Sequence, residues 1–97
     1  MGKTAERIHT DRAEIARLES LIARLPNDAH VELTLDDGDV VRGTVAARPT
    51  VQVFEDGHGN EGLNALVRLE EVAFDAARTP RDIWVDRIVR IVQLPEL

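Results

Sequence analysis

The chain has 97 residues, 43% of them apolar, and its only aromatics are Phe54, Phe74 and Trp84, which fits one small domain over 1–97 with an aliphatic core. It has no cysteine, which excludes disulfides, thiolate metal sites and a Cys nucleophile and fits a cytoplasmic protein. The net charge is −6, and the whole excess lies in 31–79, where ten acids face four bases, so non-specific phosphate binding, which needs a basic patch, is disfavoured.

Residues 10–25, TDRAEIARLESLIARL, read as a helix. Ile8, Ile15, Leu18, Ile22 and Leu25 recur at about helical spacing and form one apolar stripe. Asp11 and Glu14 make a D-x-x-E start, with Thr10 as a rival cap and an earlier start near Thr4 left open. Pro26 stops the helix, because the residue before a proline is driven out of the helical region.

From there the period changes to two. In HVELTL, Val31, Leu33 and Leu35 alternate with polar residues. Asp36-Asp37-Gly38-Asp39 predicts a hairpin in which both central residues reach positive φ. The return strand, VVRGTVAA, places Val41, Val45 and Ala47 inward, and Gly43 marks a bend or a close backbone contact. Pro49 interrupts the pairing and VQVF resumes it. LNALVRLEEV alternates again, with Leu63, Ala65, Val67 and Leu69 on one face and Arg68 and Glu70 opposite. Thr79-Pro80 marks a turn. DIWVDRIVRIVQL is long enough for two short strands with a corner near Asp86-Arg87. One helix and about five short strands predict a mainly β fold: a five-stranded sheet over about 30–94 that its glycine bend closes into a small barrel, with the helix over one end or face.

Few residues advertise chemistry. Gly57, Gly59 and Gly62 spell GxGxxG, but a period-two segment follows where a dinucleotide loop needs a helix, so they read as a hairpin tip. Asp56, His58 and Asn60 sit like the first calcium ligands of an EF-hand loop, but Glu61 stands where glycine is needed and Val67 where the bidentate Glu belongs. Ser20 is mid-helix and far in sequence from any histidine. His9 and His30 border the helix, and Asp36, Asp37 and Asp39 read as a solvated turn tip. No catalytic residue, metal site or cofactor is expected, and the chain reads as a non-enzyme. Trp84 reads as core or, if exposed, as a platform for stacking on a base. No apolar run approaches the roughly 20 residues of a membrane helix, and MGKTAERIHTDR lacks the apolar stretch of a signal peptide.

The order of these motifs resembles that of Sm-like proteins. Val31, Leu33, Leu35, Asp37, Gly38, Gly43 and Val45 resemble the first Sm motif. Leu63-Asn64-Ala65-Leu66-Val67 and Glu70-Glu71 are similar to the M-N-x-x-L strand and its acidic end, and Ile83, Ile88 and Ile91 match the apolar spacing of the second motif. The likeness spans 10–94 and is nearest to a small family of uncharacterised bacterial Sm-like proteins. It implies a bent five-stranded barrel, edge strands joined into homo-oligomeric rings, and binding of single-stranded RNA, with Asn64 in the place of the base-contacting asparagine. Two features depart from the family. Trp84-Val85 replace the Arg-Gly that completes the base pocket, and VQVFEDGHGNEG is inserted as a hairpin. A module that binds a protein partner or self-associates, having lost the RNA pocket, is the alternative expectation.

Overall fold

A computed structural model describes residues 3–70 and 80–95. Strand β1 is Lys3–Thr4, helix α1 Arg12–Ala23, β2 His30–Leu35, β3 Val40–Val45, β4 Gln52–Glu55, β5 Glu61–Asn64, β6 Leu66–Glu70, β7 Arg81–Trp84 and β8 Ile88–Gln93, with one 3-10 turn at Val85–Arg87. The helix lies inside the predicted span. Its N-cap is Asp11, whose carboxylate accepts from the Ala13 N–H and so satisfies one of the helix's first free donors. The face of α1 that enters the core is Leu18 and Leu21, continued by Leu25, while Ile15 and Ile22 are half-buried. Leu21 was not in the predicted stripe.

Five strands form an antiparallel sheet in the order β7-β6-β3-β2-β8. Val31, Leu33 and Leu35 of β2, Val41 and Val45 of β3 and Val67 and Leu69 of β6 fill its inner face, as the period of two requires. Two predictions need correction here. Ala47 lies beyond the end of β3 and is exposed. In the β2–β3 loop only Gly38 has positive φ, at 90°. The Gly38 N–H donates to the Leu35 carbonyl and the Leu35 N–H to that of Asp39, so the connection is a three-residue loop with its glycine last. The predicted corner near Asp86 is the 3-10 turn between β7 and β8.

The predicted barrel is not closed. Among the described residues the edge strands β7 and β8 pair with β6 and β2 and not with each other. The segment read as one strand from Leu63 is two. Ala65 interrupts it, so β6 joins the large sheet while β5 pairs with β4 in a second sheet of order β1-β4-β5. Glu71, Val72 and the Thr79 turn lie outside the described residues.

The 54–64 stretch is the predicted hairpin, with Phe54 opposite Gly62 and Glu55 opposite Glu61. Asp56 builds its tip. Its carboxylate accepts from the N–H groups of His58 and Asn60 and from the Asn60 amide, which holds its pKa below the usual value. Gly59 takes φ 82°. The N-terminal segment wraps this hairpin on both sides. Lys3 and Thr4 run parallel to β4, while His9 exchanges backbone hydrogen bonds of 2.9 and 2.8 Å with Leu63 on the far edge of β5. Between them the chain crosses over Gly62, where a Cβ would lie 2.8 Å from that of Ile8.

Candidate functional site

The two candidates from sequence are placed very differently. Asn64 is 1% exposed. Its Nδ2 donates to the Arg7 carbonyl at 3.0 Å and its Oδ1 accepts from the Ala65 N–H at 2.8 Å. Both ends of the amide are thus used to tie the N-terminal segment to the β5–β6 break. Trp84 ends β7 and is half-buried, its ring in a T-shaped contact with the buried Phe54 at a centroid distance of 5.0 Å. It lines an open groove of about 610 Å³ with Thr4, Glu6, Asp56, Gly57 and His58. That volume falls in the usual range of ligand sites, roughly 300–1,000 Å³. The hairpin tip and Trp84 therefore share one wall, and Asn64 is not among the residues lining it.

A second cavity, of about 270 Å³, is lined by Arg7, His9, Glu14, Arg17, Leu18 and Asp86. The Asp86 side chain is 3% exposed and is held by His9 Nε2 at 2.9 Å and Arg7 Nε at 3.3 Å. A buried carboxylate requires such partners, because desolvating an unpaired charge is prohibitive. His9 Nδ1 meets Glu14 Oε2 at 2.6 Å, so a carboxylate sits at each ring nitrogen. Only the imidazolium donates to both. Burial works against that charge, but the hydrogen bonds to Glu14 and Asp86 outweigh it and raise the His9 pKa. With both nitrogens donating, the ring has no lone pair to take a proton from a substrate. This cluster is a fastening of three segments, and His9 and Asp86 stand 77 residues apart, so no local pattern marked their contact.

The Asp36-Asp37-Asp39 tip is not simply solvated. Asp36 lies between Arg7 at 2.8 Å and Arg87 at 3.1 Å, and Arg87 also reaches Asp37 at 2.8 Å. The bonds from Arg7 and Arg87 hold the Asp36 pKa down. Asp39 faces Arg81 at 3.8 Å. Much of the acidic excess of 31–79 is thereby offset by arginines from outside it. Among the described residues no ion pair offsets Glu6, Asp56 or Glu61, so negative charge remains around the hairpin and the Trp84 groove.

One edge of the large sheet is occupied from within. The Leu94 N–H donates to the His30 carbonyl, so along β2–β8 the Leu33/Ile91 pair is a non-bonded one and the Ile91 carbonyl points away from β2. Arg24 donates to it at 2.6 Å, and Arg17 donates to the Ile88 carbonyl at 2.6 Å and to that of Asp86 at 3.2 Å. Arg17 from the middle of α1 and Arg24 at its C-cap thus cap the open side of β8.

No helix among the described residues is long and apolar enough to cross a membrane. Over residues 2–94 the sequence matches the family described as a domain of unknown function (DUF3247). The chain is similar to a protein of Xanthomonas campestris whose crystal structure is described as adopting a novel variant of the Sm-like motif, with 40% identity and a TM-score of 0.87 over 98% of this chain and 100% of that one. No curated protein matches the chain.

Proposed function

Given that the chain belongs to the DUF3247 family and has an Sm-like fold, we propose that it works as a protein-binding module that has kept the Sm-like strands and given up the RNA pocket. The observation that carries this reading is Asn64. The residue in the place of the base-contacting asparagine is buried, and both its donor and its acceptor are spent inside the chain. A base edge would have to break those bonds and strand the Arg7 carbonyl or the Ala65 N–H. The acidic surface around the hairpin supports the same reading, since phosphates are repelled there.

Fluorescence anisotropy with short U-rich and A-rich RNA at low salt tests it. The titration is expected to stay flat, and cross-linking in cells is expected to recover a defined protein partner. Asn64→Ala is expected to lower folding stability by about 1–3 kcal/mol, the cost of leaving buried partners unsatisfied. Micromolar RNA binding that Asn64→Ala abolishes, in a variant that still folds, would overturn the proposal.

A further inference from the structure

We propose that the groove between Trp84 and the hairpin tip is the docking point for an arginine or lysine side chain of a basic segment in a protein partner. The inference rests on the protein-binding reading above and adds the chemistry of the partner. The groove has an aromatic wall and an acidic rim. The indole of Trp84, braced by Phe54, supplies a π-surface, and a cation over such a face is attracted by the ring quadrupole. Glu6 and Asp56 supply carboxylates on the same groove. Asp56 stays ionised because its own loop bonds hold its pKa down. Those bonds also fix it in place, so little ordering is needed when a cation arrives.

Charge complementarity selects the occupant. Among the described residues the groove's lining includes no lysine or arginine, whereas the other acidic clusters, at Asp36-Asp37 and at Asp86, are already filled by the chain's own arginines. A phosphodiester would meet Glu6 and Asp56 unshielded. A guanidinium meets two anions and a ring, contacts that suit its planar fork and its tendency to stack on aromatics. Elsewhere in the chain Arg7 and Arg87 each satisfy aspartates by ion pairing.

Trp84 is the single tryptophan, so its fluorescence reports on the groove alone. The probes are a blocked peptide with two arginines spaced by alanine, the same peptide with neutral citrulline, and a U-rich RNA. The arginine peptide is expected to shift Trp84 emission saturably, and the citrulline peptide to leave it unchanged. Glu6→Gln should weaken binding about threefold, as for one partly exposed ion pair. Trp84→Leu, followed by the amide resonances of Gly57 and His58, should weaken it about fivefold. No response to the arginine peptide up to about 5 mM, beyond the range one side chain's contacts support, would overturn the groove assignment. So would an equal response to citrulline. Either result leaves the protein-binding reading to its own RNA titration, whereas RNA that perturbs Trp84 saturably would overturn both.

Discussion

His9 is gripped by carboxylates at both ring nitrogens, and that makes its protonation part of the fold. The facing groups are Glu14 from α1, Asp86 from the 3-10 turn, and the cations Arg7 and Arg17. The folded-state pKa is raised above 6.5, so the stabilisation is fully present below about that pH and is lost as pH rises through the folded value. Unfolding free energies from urea titrations at about pH 6 to about pH 9 should fall on the alkaline side, and only modestly, because water screens a half-exposed pair such as that with Glu14. His9→Gln should remove that slope; a slope that persists in the variant would show that another group titrates. None of this could be read in advance. His9 looked like a residue bordering a helix, and Asp86 like one end of a corner, because an ion pair between distant positions leaves no periodicity. Asn64 shows the opposite case. A motif flagged the position, but burial decides what an amide can touch, and a motif does not encode burial.

At the scale of elements the hydrophobic period predicted most of the strands, and glycine marked their close approaches. Gly43 stood out as a glycine inside an alternating strand, and a Cβ there would lie 2.9 Å from the Glu70 carbonyl oxygen and 3.2 Å from the Leu69 Cβ. Gly62 read as part of a hairpin tip, yet it lies within β5 beneath Ile8, with the His9 carbonyl oxygen 3.0 Å from where its Cβ would be. Its neighbour comes from the far end of the chain, which the local pattern cannot show. The same limit hid the split at Ala65, since alternation tells which face a residue takes but not which sheet it joins. The two glycines therefore predict different damage. Gly43→Ala should destabilise the whole domain by about 1–3 kcal/mol, as overpacking between β3 and β6 does. Gly62→Ala should instead lift the N-terminal segment. Amide exchange would quicken at Ala5 and His9, whose N–H groups bond to β4 and β5, and stay slow in β2. Uniform acceleration across both sheets would refute that separation.

For the whole molecule, the strand order β7-β6-β3-β2-β8 leaves β7 and β8 as the edges of the large sheet, and β8 is one edge where a further strand would add. The resemblance to Sm-like proteins implies ring assembly through edge strands. The motif order carried that implication, but no local pattern marks Arg17 and Arg24, the arginines that bear on it, because a charge on a helix surface does not tell which distant carbonyl it reaches. Their guanidinium groups donate to the Ile88 and Ile91 carbonyls, which an incoming strand would need as acceptors. A pairing strand must first displace two charge-assisted hydrogen bonds, each about twice as strong as a neutral one. Multi-angle light scattering over a wide concentration range should therefore give one constant small mass for the native chain. The double variant Arg17→Ala, Arg24→Ala uncovers those carbonyls and should associate as its concentration rises, with circular dichroism checking that the fold persists. A native hexamer or heptamer would refute the capping argument. A folded double variant that stays at the native mass would mean that something other than these two side chains keeps β8 unpaired.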